Sequence, residues 1–355
     1  MPGNGAEPLA CLPFERPIYD QWNRVEEIRG ALDAMEKEMA ALREGNGAPA
    51  AEEARTRLAD LEKKHADLSR EWRKEDEKCR ALTQEVYANL TPWERVQVAR
   101  HPSRPYSRDY LDKVFEDVIE LHGDRCSGDD GAIFTGFGRI GDRRVLVVAQ
   151  RKGRDTKERL ASNFGMARPE GYRKAMAKMR LAERFRLPVI CLIDTPGAYP
   201  GIDAEERGQA WAIAEGILAM CTLRTTIVAA VIGEGGSGGA LAIGVADKVL
   251  ILENAYYSVI SPEGCASILW KSRERAGDAA EALRITAQDL LRLGVVDGIV
   301  EEPLGGAHRD PEGMARRLKA ALLDALHELD RVPLDALVRT RYRKFREIGR
   351  HLLDA

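Results

Sequence analysis

The chain has 355 residues, and its 54 Lys and Arg against 57 Asp and Glu leave a net charge of −3, too weak a field to draw in nucleic acid or an anionic membrane unaided. Its six cysteines, at 11, 79, 126, 191, 221 and 265, contain no Cys-x-x-Cys pair, so neither a zinc-finger spacing nor a redox couple is present and reduced thiols are expected. No stretch reaches the roughly 18 apolar residues of a membrane span, and Met1–Glu7 is Gly-rich and acidic with no apolar run behind it, so a cytoplasmic protein is expected.

Val25, Ile28, Leu32, Met35, Met39 and Leu42 repeat every three or four residues, and heptad spacing resumes from Leu58 to Val86. Two helices are implied. Gly45, Asn46, Gly47 and Pro49 break the pattern between them and predict an antiparallel hairpin. Residues 51–80 carry nine basic and nine acidic side chains, which reads as a solvated outer face.

After Pro102 and Pro105, short apolar runs alternate with helical patterns: 132–138, 144–149, 189–193, 226–232, 249–252 and 299–300. This predicts an α/β core. Pro-Glu-Gly at 169–171 and again at 262–264 marks helix starts, with proline near the first position and an acid where the dipole favours it. Two further helices are predicted over 310–329 and 333–353. The second carries Arg339, Arg341, Arg343, Lys344, Arg346 and Arg350 around Tyr342 and Phe345, either a phosphate-facing stripe or an amphipathic helix with its aromatics turned inward.

The most informative segment runs from Val231 to Ile243. Gly233, Gly235 and Gly238 fit the dinucleotide pattern G-x-G-x-x-G with Glu253 about 20 residues on, but only about eight residues separate Ala240 from the next strand, too few for that motif's helix. Gly235, Ser237 and Gly239 fit the G-x-S-x-G nucleophile elbow, with Asp297 and His308 following in hydrolase order. A P-loop is excluded because Gly-Lys-Ser/Thr is absent. A third reading needs no side chain: glycines at a helix start leave backbone N–H groups open to a substrate oxygen, an oxyanion hole in which one donor is typically worth about 3 to 4 kcal/mol of barrier. A second glycine turn, Asp194 to Gly201, follows the strand at 189–193, and its prolines fix a shape that glycines leave open to a ligand.

The runs Cys191 to Gly201, Glu205 to Gln209, Gly233 to Gly244 and Tyr257 to Lys271 resemble the α subunits of bacterial acetyl-CoA carboxylase carboxyltransferase. So do Gln150 to Arg154, Asn163 to Met166, Pro169 to Ala175 and Pro303 to Arg309, and the resemblance spans almost the whole chain. It implies an α/β, crotonase-like (ClpP/crotonase) core of repeated ββα units behind an N-terminal helical hairpin. The expected divisions are 1–100 for the hairpin, 101–310 for the core and 311–355 for the C-terminal helices.

The resemblance also implies the reaction, transfer of a carboxyl group from carboxybiotin to acetyl-CoA to give malonyl-CoA for fatty-acid synthesis. The expected partners are a zinc-ribbon β subunit in an α2β2 assembly, a separate biotin carboxyl carrier protein and biotin carboxylase, with no metal in this chain. Ala175-Met176-Ala177-Lys178-Met179 misses the biotin-attachment motif by one inserted residue, so the chain is not the carrier. Carried over by position, Gly238 and Gly239 present the backbone donors for the biotin ureido oxygen, with Ala240 behind them. Gly235, Gly236, Gly197, Ala198, Arg173 and Lys174 are the expected substrate-binding residues, and Lys152, Arg154 and Lys178 are further candidates for coenzyme A phosphates. The family usually has histidine where Ala149 stands, proline at Ala167 and Ser-Glu at Ala210-Trp211, so a different acyl-CoA is the alternative substrate, and a serine hydrolase using Ser237 the alternative class. A third possibility is an interaction scaffold with a degenerate pocket.

Overall fold

The computed structural model describes residues 11–44 and 51–350, which divide into two compact units at Leu90/Thr91. The first is a helical pair, α1 (Arg16–Glu44) and α2 (Ala51–Ala88). Gln21 bonds Glu75, His65 bonds Glu36 and Arg57 bonds Glu38, so pairing indices rise on one helix as they fall on the other and the helices are antiparallel. Most of the charged face is solvated, as expected, but part of it ties the two helices across their seam. The Gly45–Pro49 breaker lies outside the described residues.

The units part at Leu90/Thr91, ten residues before the boundary drawn from sequence. The reason is α3 (Pro92–Ala99), where Thr91 and Glu94 form a reciprocal cap and Val96 and Ala99 pack against Tyr256, Ala280 and Ile285. The chain continues through α4 (Ser107–Val114), β1 (Glu116–Glu120), β2 (Ile133–Ile140), β3 (Arg143–Gln150), α5 (Thr156–Ala161), α6 (Pro169–Phe185), β4 (Val189–Thr195), α7 (Ile202–Glu206) and α8 (Gln209–Thr222). It then runs through β5 (Ile227–Gly236), α9 (Ser237–Leu241), β6 (Lys248–Leu252), β7 (Tyr256–Ser258), α10 (Pro262–Trp270), α11 (Ala276–Ala282), α12 (Ala287–Arg292), β8 (Gly298–Val300), α13 (Pro311–Leu329) and α14 (Leu334–Glu347).

One mixed sheet orders the strands β1-β2-β3-β4-β5-β6-β8, with β7 paired to the far end of β5. The first two pairings are antiparallel hairpins and the remainder are parallel. Every residue of β4 and β5 is buried, which is why both read as continuous apolar runs rather than alternating ones. All six predicted strands form. Two were not predicted: β1 is an exposed, charged edge strand and β7 is three residues long.

The Pro-Glu-Gly starts hold. Pro169 opens α6, Pro262 opens α10 with Ser261 capping Gly264 N–H at 3.1 Å, and a third copy at 311–313 opens α13 with Asp310 capping Gly313 N–H at 2.8 Å. The terminal helix departs from expectation. It ends at Glu347, two residues before Gly349 at φ +81°, and its stripe is split. Arg341 is buried and bidentate to Asp247, Lys344 pairs with Asp297, and Tyr342 is the aromatic that faces outward.

Candidate active site

The two glycine turns leave the C-terminal ends of adjacent parallel strands. Pairing of Thr195 with Gly235 across β4 and β5 sets them side by side at one sheet edge, where open α/β sheets present ligand sites. In the first turn, the Thr195 hydroxyl accepts the Gly197 N–H at 3.1 Å and donates to the Gly165 carbonyl at 2.7 Å. Gly197 sits at φ +152°, a conformation side chains rarely allow. In the second, β5 continues through Gly233, Glu234, Gly235 and Gly236, so the glycine segment is strand for half its length and turns only at Ser237.

The turns touch backbone to backbone. A Cβ on Gly239 would lie 2.7 Å from Ala198 N and Gly197 C, and one on Gly236 would lie 2.3 Å from the Pro196 carbonyl carbon and oxygen. The structure therefore brings Gly197, Ala198, Gly236 and Gly239 together, with Ala240 buried behind them. Gly238 differs: it is half-buried, and a Cβ there would make only ordinary contact, 3.6 Å, with Ile213. Gly235 lies inside β5 against the Tyr257 ring, 2.8 Å from a would-be Cβ, so its bareness serves packing rather than ligand approach. The first N–H groups of α9 have no acceptor within the helix, which leaves donors at the corner for an incoming oxygen.

Beneath the corner lies a charged network. Asp194 Oδ1 accepts the Glu234 N–H at 2.9 Å and pairs with Lys152 at 2.7 Å; Glu234 also takes Lys152, Arg100 and the Tyr256 hydroxyl, each at 2.6 Å. Burial alone would push the Glu234 carboxyl up, but Lys152 and Arg100 hold it at about 2. The same acids raise Lys152 against its own burial, so both groups stay charged. Gln150, fully buried at the end of β3, donates to the Gly239 carbonyl at 2.8 Å and accepts the Asp194 N–H at 3.1 Å. Tyr172 brings a buried hydroxyl, without a hydrogen-bond partner among the described residues, to within 3.0 Å of the point where a Gly239 Cβ would stand.

The cations expected at a substrate have other partners. Arg173 bonds Asp124 at 2.9 Å and the Arg207 carbonyl at 3.0 Å, and Lys174, 1 % exposed, bonds Asp129 at 2.5 Å and the Asp130 carbonyl at 2.8 Å. Both hold the 124–130 loop to α6: Arg173 is half-buried, and Lys174 is buried against the carboxylate of Asp129 and the carbonyl of Asp130. Lys152 is held by Asp194 and Glu234, Arg154 by Asp109 at 2.6 Å, and Lys178 by the carbonyls of His122 and Gly123. That burial of Lys178 also agrees with its reading as helix core rather than a biotinylation site.

Neither side-chain alternative for the glycine segment assembles. Ser237 is exposed at φ +54°; Asp297 is bound to the Val249 N–H and Lys344; His308 stacks on His101 at 4.0 Å between ring centroids. Glu253, the expected ribose acid, accepts the Glu302 N–H at 3.0 Å, and α9 is a five-residue helix. Of the departures, Ala149 is buried in β3, the Ala167 carbonyl receives Tyr199 N–H and Gln209 beneath the first turn, and Trp211 is 76 % exposed on α8. Sequence reading passed over Gln150, Tyr172 and the Lys152–Asp194–Glu234 network. The available signal was a glutamine closing the apolar run at 144–149, a polar residue where a buried strand end needs a partner.

The family model described as acetyl co-enzyme A carboxylase carboxyltransferase-like matches residues 48–349. The chain is 56% identical over 338 residues to the acetyl-coenzyme A carboxylase carboxyl transferase subunit alpha of Thiobacillus denitrificans, covering 95% of this chain and 96% of that one. It is 58% identical over 283 residues to the protein of that name from Thermus thermophilus, covering 80% and 91%. Among solved structures, transcarboxylase 12S aligns with a TM-score of 0.51 at 21% identity over 63% of this chain and 42% of that one. A chain of a Pseudomonas malonate decarboxylase hetero-tetramer aligns at 0.51 with 18% identity over 64% and 92%. These two likenesses show a shared crotonase-like fold. Among the described residues, no helix is long and apolar enough to cross a membrane.

Proposed function

The chain belongs to the acetyl co-enzyme A carboxylase carboxyltransferase family, and we propose that it works as the alpha subunit of that carboxyltransferase, moving a carboxyl group from carboxybiotin to acetyl-CoA to form malonyl-CoA. The observation that carries this reading is the closed contact of Gly239 with Gly197 and Ala198, which leaves Gly238 at the accessible side of a corner made of peptide groups.

A biotin ring fits such a corner chemically. Its ureido oxygen is a neutral acceptor that gains negative charge on losing a carboxyl group, and it needs N–H donors rather than a nucleophile or a cation. Gly238 and Gly239 would hold it. Carboxybiotin supplies the carboxyl group, and this chain supplies donors fixed before the charge develops. The wall of β4 and β5 keeps those peptides from reorganising, and Lys152, Asp194 and Glu234 pin the strand ends so that the two turns stay in contact. The biotin rides on a separate carrier protein, since Lys178 is buried. A β subunit holds acetyl-CoA and completes an α2β2 enzyme in the cytoplasm that takes its carboxylated carrier from biotin carboxylase.

The test is reconstitution. The purified chain alone yields no malonyl-CoA from acetyl-CoA and carboxylated carrier, and adding the β subunit restores turnover. Ester hydrolysis by the isolated chain, abolished in Ser237→Ala, would contradict the reading.

A further inference from the structure

We propose that Gln150 is a positioning residue for carboxyl transfer, its one side-chain amide fixing the Gly239–Ala240 peptide on which the donors of the glycine corner are seated. The inference rests on the carboxyltransferase reading above.

The amide spans the two turns. Its Nε2 donates to the Gly239 carbonyl at 2.8 Å, while its Oε1 accepts the Asp194 N–H at 3.1 Å from the start of the first turn. Gln150 has no exposed surface, and its own carbonyl is held by the Ser107 hydroxyl at 2.5 Å, so the amide works from a fixed base. The peptide unit is planar and trans. Holding the Gly239 carbonyl therefore fixes the plane of the Gly239–Ala240 peptide and points the Ala240 N–H the opposite way.

That tie matters because of where it falls. Gly238 and Gly239 have no side chains to restrict their own dihedrals, and a glycine peptide left to itself turns over easily. The strand ladder of β5 stops at Gly236, and the Ala242 N–H holds the Gly238 carbonyl at 2.9 Å, which leaves the Gly239 carbonyl to Gln150. Gln150 supplies that restraint from β3, across the end of β4. Its other end joins Asp194, whose carboxylate receives the Glu234 N–H, so one chain of hydrogen bonds runs from the corner through both turns and back into β5.

The experiment uses the chain assembled with its β subunit. Gln150→Glu keeps the acceptor for Asp194 and loses the donor to Gly239, whereas Gln150→Met loses both at similar volume. Both variants are expected to lower kcat about 10- to 100-fold, the usual range for a residue that orients a working group, with KM for acetyl-CoA unchanged. A role confined to stability would lower Tm and the yield of assembled enzyme while leaving kcat per assembled complex near the parent value, and that result would overturn the inference. Hydrogen exchange on the unmodified assembly gives a second reading that needs no variant: the Asp194 amide, whose acceptor is Gln150 Oε1, is expected to exchange as slowly as those of β5. Exchange as fast as an open loop would contradict the tie. An unmodified assembly that makes no malonyl-CoA removes the carboxyltransferase reading itself. An active one with unimpaired Gln150 variants removes this inference alone.

Discussion

Gly238 and Gly239 are adjacent, yet the structure asks different things of them. A methyl on Gly239 has nowhere to go, because the atoms in its path are backbone of the first turn at 2.7 Å. Gly239→Ala is expected to force the turns apart and lower kcat by at least about 100-fold, the scale of losing an oxyanion donor. Gly238→Ala places its methyl against Ile213 at ordinary contact distance and keeps both N–H groups, so it should retain most of its activity; paired kinetics of the two variants check this. Tyr172 makes a further test. Its buried hydroxyl has no partner among the described residues, so Tyr172→Phe removes an unpaired polar group without opening a cavity and should leave Tm unchanged or slightly raised. Ser237→Ala should keep substantial activity, since Asp297 is engaged by Lys344 and His308 is stacked on His101.

At the scale of elements, the site is a consequence of strand direction: neighbouring parallel strands present their C-terminal turns together, and β4 and β5 both lead into glycine-bearing turns. The acids under these strand ends give them a pH dependence with a definite sign. Glu234 and Glu302 are held at about 2, below the ordinary 4.5, by Lys152 with Arg100 and by Arg104 respectively, in each case against burial. A depressed carboxylate contributes stability that is fully present above its unfolded value and lost as pH falls through the folded one. Acid unfolding should therefore steepen between about pH 4.5 and 2, and Glu234→Gln should flatten that limb in a denaturation series. Much of this layer was legible from sequence: the apolar runs gave six strands, and proline starts placed α6 and α10. The edge strand β1 was not, because Glu116–Glu120 is charged, exposed and kinked by Asp117 at φ +53°. Nor were the roles of Arg173 and Lys174, since composition shows a cation but not the acid folded against it.

Over the whole molecule, two compact units carry different amounts of information in sequence. The hairpin was readable from heptads alone, whereas the start of the second unit at Thr91 depends on a cap and on Val96 and Ala99 meeting residues 157 or more positions away. The C-terminal helix is tied on by Arg341, fully buried, which bonds Asp247 and the carbonyls of Met220, Leu223 and Thr225. Arg341→Met strands Asp247 without its counter-charge and should cost about 3 to 5 kcal/mol of stability, read in a urea titration. Carboxyl transfer by this chain depends on peptide groups at the meeting of two turns serving as the working donors. The direct measurement is a structure of this chain assembled with its β subunit and biotin. The biotin ring oxygen is predicted within about 3 Å of the N–H groups of Gly238 or Gly239. Biotin seated elsewhere in the assembly, with those groups facing only protein, would contradict it.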